Sequence, residues 1–119
     1  MASSITHEQY VKSVRERIYA IALGMLNDEI PFLEGARKLA SLSHEAEADG
    51  NDEDFRVFVG IASETDDLPI GPSRKYWAKE ALEKHQPMIE ETTRWAKQIG
   101  TSACQSLATR FNAEERTEK

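Results

Sequence analysis

Tyr10, Val14, Ile18, Ile21 and Met25 recur at spacings of four, four, three and four residues. Only an α-helix gathers such a series onto one face; a strand would scatter it over both. The spacing predicts a long amphipathic helix over residues 6–26, with Val11 and Ala22 widening the stripe. Lys12, Arg15 and Glu16 take the other faces. Thr6 followed by Gln9 has the form of a capping box, and Glu8 lies near the positive end of the helix dipole. A second series closes the chain. Ile89, Thr92 or Thr93, Ala96, Ile99, Ala103, Leu107 and Phe111 hold the 3.6-residue period over six turns. Two helices of this length can frame a bundle.

Between them the pattern stays helical. Asn27-Asp28-Glu29-Ile30 makes a turn, and Pro31 suits the first turn of a second helix, where its missing N–H costs nothing. Phe32, Leu33, Ala36, Leu39, Ala40 and Leu42 carry that helix to about residue 43. Gly35 is a weak point in it or a place of close helix contact. Residues 45–54 extend the helix or form a loop, and Asp49-Gly50-Asn51 favours a break there. Asp52 can cap a third helix, in which Phe55, Phe58, Val59 and Ala62 share a face. A strand over residues 55–59 competes, but its apolar residues do not alternate cleanly. Residues 63–73 hold two prolines and a glycine and read as an irregular acidic loop pinned by Leu68 and Ile70. A short helix over residues 78–85 follows, and Pro87 either opens the long C-terminal helix or kinks one continuous helix. The expected fold is all-α: a single-domain bundle of four or five helices over residues 1–111, with a Pro-rich acidic loop and a polar tail at 112–119.

Length and composition narrow the function classes. At 119 residues the chain has room for one core, and Leu, Ile, Val and Phe make up only about a fifth of it. Alanines supply further small apolar positions suited to close helix packing. No stretch approaches the 18 apolar residues of a membrane span, so no membrane association is expected. Met1-Ala2-Ser3-Ser4-Ile5 has neither the basic nor the apolar part of a secretory signal. Cys104 is the single cysteine, and a reducing, cytoplasmic setting suits it.

The net charge is −6, but it is concentrated. Glu45, Glu47, Asp49, Asp52, Glu53, Asp54, Glu64, Asp66 and Asp67 face a single base, Arg56, over residues 45–67. This field repels phosphate backbones, which argues against nucleic acid, and it attracts a basic protein surface or a hard cation. The plainer reading is a solvated acidic face that keeps the protein soluble.

Motifs for chemistry are sparse. His44 with Glu47 is a weak pair of metal ligands, His85 reads as a partly buried helix residue, and no zinc-type spacing exists. The run from Asp49 to Asp54 fails as a calcium loop, with Asp54 where glycine is needed and Gly60 where glutamate is needed. Cys104 sits among Ala103 and Leu107 as a small core residue, and no nucleophile elbow or phosphate loop is present. No catalytic residue, metal ligand or cofactor is therefore assigned. The candidate binding set is Glu64, Asp66 and Asp67 in the loop, with the basic-aromatic cluster Arg74, Tyr76 and Trp77 after it. Asp66 or Ser73 reads equally as a helix cap. Arg74 and Lys75 are placed to fold back onto the loop carboxylates, and Trp77 and Trp95 read as core anchors.

The run from Phe58 to Gly71 with Tyr76-Trp77, and Glu34-Gly35-Ala36-Arg37 with Leu39 and Leu42, resembles a family of small uncharacterised bacterial proteins, a domain of unknown function. The resemblance covers about residues 15–111. It implies a bacterial source and transfers no catalytic residue. In size and charge alone the chain is similar to bacterial immunity proteins, which mask a basic toxin. The leading expectation is a protein-binding module whose acidic 45–67 region docks on a basic partner. One alternative is a metal-assisted hydrolase using Glu64, Asp66, Asp67 and His44. Another is a self-associating structural protein, a homodimer joined along the Gly100–Ala103 face.

Overall fold

The computed structural model describes residues 6–45 and 52–111, with the backbone alone at Pro72 and Ser73. Four α-helices follow one another: α1 (His7–Leu26), α2 (Phe32–Leu42), α3 (Glu53–Glu64) and α4 (Lys79–Arg110). A 3-10 turn, Gly71–Tyr76, lies between α3 and α4. The expected break at Asp49-Gly50-Asn51 and the polar tail at 112–119 fall outside the described residues.

Local chemistry sets most helix ends. Thr6 and Gln9 form the capping box of α1, each side chain bonding the other's backbone N–H. The Asp52 carboxylate accepts from the amides of Asp54 and Phe55 at the start of α3. Between α1 and α2, the Gly24 carbonyl accepts from the amides of Glu29 and Ile30. Asp28 there takes a φ of +60°, a left-handed conformation that Asp tolerates better than branched residues do.

The helices run up, down, up and down. Arg15 lies over Phe111, the Cys104 thiol meets the Met25 sulfur at 3.9 Å, and Lys97 pairs with Asp28 at 3.1 Å, so α1 and α4 are antiparallel. Arg37 of α2 reaches the end of α3 at Thr65, while Asp52 and Asp54 at the start of α3 meet Arg110 at the end of α4. Val14, Ile18, Met25, Leu33, Leu39, Phe58, Ile61 and Leu107 fill the space between. Full burial of one such side chain stabilises the fold by about 1.5–3 kcal/mol.

Several expectations need correction. The C-terminal third is one continuous 32-residue helix, not two. Pro87 is exposed within it, so the Glu83 carbonyl it leaves unpaired faces water. Ser63 and Glu64 belong to α3, and residues 71–76 form the 3-10 turn, where irregular chain was expected. Tyr10 is exposed because α4 ends beside Arg15, more than a turn short of it. Val59 is 48% exposed. The spacing of three between Phe55, Phe58 and Ile61 carries the buried face of α3 round and away from it. Trp77 and Trp95 are each 37% exposed and anchor no core, and Ile99 also lies outside it. Ile61 meets Gly100 and α3 ends three residues later at Glu64, while Ile99 lies off the face of α4 that Gly100 turns to Phe32 and Ile61.

Arg110 binds the start of α3 with both arms of its guanidinium. Nη2 donates to Asp52 Oδ2 at 2.7 Å, and Nη1 donates to Asp52 Oδ1 at 3.1 Å and Asp54 Oδ2 at 2.9 Å. The Ser106 hydroxyl donates to the same Asp54 oxygen at 2.6 Å. Arg110 beside it holds the Asp52 carboxyl below its ordinary value.

A Cβ at Gly35 would land on the side chain of buried Met25, whereas one at Gly60 meets nothing within 4 Å. Gly60→Ala is expected to raise stability by about 0.5–1 kcal/mol in urea unfolding, and Gly35→Ala to lower it by about 1–3 kcal/mol. Asp52→Ala, which removes both the cap and the ion pair, is expected to cost about 1–2 kcal/mol. Because the folded Asp52 pKa is depressed, its contribution is complete above the unfolded carboxyl value near 4 and fades as pH falls through the lower folded value. The gap between wild type and Asp52→Ala should therefore narrow in acid, as followed by circular dichroism.

Candidate functional site

The chain leaving α3 is held from inside. The buried Thr65 hydroxyl donates to the Ile61 carbonyl at 2.8 Å, and the Arg37 guanidinium donates to the Thr65 carbonyl. The amide of Leu68 closes back on Thr65 O at 3.0 Å, and the Ile70 amide on Leu68 O at 2.9 Å. Pro69 and Ile70 are buried beneath. Glu64, Asp66 and Asp67 stand outward on this framework, exposed and without a salt bridge to any described residue. Asp66 caps no helix: the N-cap before α4 is Ala78, and Ser73 lies within the 3-10 turn.

The basic-aromatic cluster does not fold back onto these carboxylates. Arg74 instead lines a cleft of about 480 Å³ between the α1–α2 turn and the middle of α4. Its floor is Ile30, Phe32, Leu33, Ile70 and Ile89, and its rim carries Asp28, Glu29 and Glu34 against Arg74 and Lys97. Gly71 has a φ of +67° and passes close to the Glu34 side chain, which brings the 3-10 turn against this rim. Tyr76 is 80% exposed with the Lys75 ammonium 5.2 Å from its ring. Trp77 stands edge-on to His85 at 5.3 Å. His85 is half-buried on the helix, as expected.

The six candidate residues thus occupy different settings: Glu64 at the last position of α3, Asp66 and Asp67 on the turn after it, Arg74 in the cleft, and Tyr76 and Trp77 at the entrance to α4. Sequence reasoning missed the rim residues Asp28, Glu29, Glu34 and Lys97, which come together from three elements. It also missed that part of the acidic tract is engaged within the fold. Asp52 and Asp54 belong to Arg110, and Glu45 accepts a hydrogen bond from the Tyr10 hydroxyl, which raises the Tyr10 pKa. Among the described residues no three of His, Cys, Asp and Glu converge as a metal site. Likewise, no described helix is long and apolar enough to cross a membrane.

A family model described as a protein of unknown function (DUF2489) matches residues 2–107. The chain belongs to this family. No curated protein and no solved structure matches it. The DUF2489 match spans the Gly24–Ile30 turn, the turn after α3 and the cleft, so the elements described above lie within the family domain.

The one cysteine is no nucleophile here. Burial pushes the Cys104 thiol up to about 12, with the Met25 sulfur as its neighbour. In the folded protein Cys104 should resist a thiol reagent such as DTNB at neutral pH and react in full once urea unfolds the chain. Rapid labelling of the native protein would contradict this burial.

Proposed function

We propose that this chain is a small protein-binding module that docks on a basic partner through the Glu64, Asp66 and Asp67 carboxylates. The observation that carries the reading is the turn after α3. Arg37, Thr65 and the buried Pro69 and Ile70 fix its backbone, while the three carboxylates have no partner among the described residues. Acidic groups on a fixed backbone lose little freedom on binding, and they steer a basic surface toward them. Tyr76 and Trp77, exposed nearby in sequence, are the residue types that anchor interfaces. An antagonist that masks a basic enzyme in the bacterial cytoplasm fits this size and charge. Metal-assisted hydrolysis by Glu64, Asp66, Asp67 and His44 draws no comparable support from the geometry.

Affinity capture of the full chain from native lysate, at low and moderate salt, tests the reading. A stoichiometric basic protein should persist at moderate salt, and the Asp66→Lys/Asp67→Lys variant should bind it at least about tenfold more weakly. Unchanged affinity in that variant would remove the turn from the interface. A smear of basic proteins lost as salt screens the charge would leave the carboxylates a solubility feature.

A further inference from the structure

The half of α4 that runs past α3 carries a second apolar series beside the one buried in the core. Ala81, His85, Met88, Thr92, Trp95 and Ile99 follow one another at spacings of four, three, four, three and four. This is the 3.5-residue repeat by which two helices pair along a shared seam. The residues that follow Met88 and Trp95, namely Ile89 and Ala96, pack on the chain's own core, and Ala96 is fully buried. Within the repeat Met88 is 54% exposed, Ile99 44% and Trp95 37%, while Ala81, His85 and Thr92 are half-buried, with the same chain's Trp77 edge-on to His85. Pro87 stands off the seam, on the outer side of the helix. The segment 112–119, Asn-Ala-Glu-Glu-Arg-Thr-Glu-Lys, has no large apolar side chain to lay over it.

We propose that this flank of α4 pairs with the same flank of a second copy, the two helices running antiparallel about a two-fold axis near residues 87 and 88. The charges beside the repeat select this occupant and this register. Lys84 and Glu91 each precede a seam position by one residue and form no salt bridge to a described residue. Antiparallel pairing about residues 87–88 sets Lys84 against Glu91 of the second copy, and symmetry makes the pair twice. The sizes match in the same register. Trp95 falls opposite the small Ala78 and Ala81 of the other copy, and Met88 falls opposite His85, a favourable sulfur–aromatic contact. In a parallel pairing Lys84 and Glu91 would instead face Ile89 and Ala96 of the other copy, and this charge pair would not form. The Gly100–Ala103 face considered from the sequence is not available for a seam. A Cβ at Gly100 would already lie 3.1 Å from the Phe32 ring and 3.3 Å from Ile61, and Ala103 is buried.

Sedimentation equilibrium of the isolated full chain, over micromolar to hundreds of micromolar concentration, tests this without any other partner. The species expected has twice the 13.4 kDa chain mass. Met88→Glu and Trp95→Glu should each return the mass to that of one chain while the helical circular dichroism is retained. Lys84→Glu and Glu91→Lys, each placing like charges opposite twice, should each weaken association about five- to tenfold. The double variant Lys84→Glu/Glu91→Lys should recover it. A single-chain mass throughout the range would overturn the proposal. So would a dimer indifferent to Met88→Glu, or one in which the double charge swap fails to restore association. None of these readings involves Asp66 or Asp67, so failure of the dimer and failure of the binding function are separable.

Discussion

The close approach of Phe32 and Ile61 to Gly100 governs the architecture. The Phe32 ring edge lies where a Cβ at Gly100 would be 3.1 Å away, and the Ile61 side chain stands 3.3 Å off the same point. Three helices therefore meet at a residue with no side chain. Ala96, Ala103 and Cys104 continue the small surface along α4, all of them buried. A chain with about a fifth of its residues large and aliphatic or Phe can still close a core in this way, because short side chains bring helix axes together and each large residue serves two neighbours. Met25 does so twice: its side chain fills the space over Gly35, and its sulfur rests on the Cys104 thiol.

That contact also divides the charge of the molecule. With α3 laid antiparallel on the last turns of α4, the start of α3 arrives at Arg110. The positive end of the α3 dipole would oppose a bare guanidinium there, so Asp52 and Asp54 are needed between the two. Part of the acidic tract is thus structural, and Glu64, Asp66 and Asp67 at the far end of α3 face solvent without an ion pair to a described residue. The Arg37 bonds to Thr65 then matter beyond stability, since they fix where those carboxylates point.

What could be read in the sequence follows how local each cause is. The capping box of α1 and the Asp52 cap of α3 lie within three residues of what they bond, and both were legible. The core positions Ile18, Leu39, Phe58 and Leu107 declared themselves by period. Arg110 and Asp52 are 58 residues apart, and nothing near either announces the other. The cleft was illegible for the same reason, since its rim draws on the α1–α2 turn, the 3-10 turn and the middle of α4. Val59 misled because Phe55, Phe58 and Ile61 drift by three instead of alternating three and four. Trp95 shows that a large aromatic residue does not by itself imply burial, which depends on whether another helix reaches that far. The 64–67 carboxylates were legible as an exposed group because their charge alone keeps them in water.

The length of α4 is the remaining physical question. A helix of 32 residues extends about 48 Å, nearly the 50 Å long axis of the molecule, while α3 with 12 residues covers about a third of it. An isolated stretch of such a helix is marginal in water, more so with a proline inside it. Some support comes from within the chain, through Ile89 on the cleft floor and Trp77 against His85. Those contacts leave Met88, Trp95 and Ile99 exposed. Selection for solubility alone would place charges at these three positions, as it does at exposed Glu80 and Glu83 on the same helix. Apolar residues kept at a 3.5-residue spacing on an overhanging helix are instead what a helix needs when part of its stabilising surface is supplied by another copy.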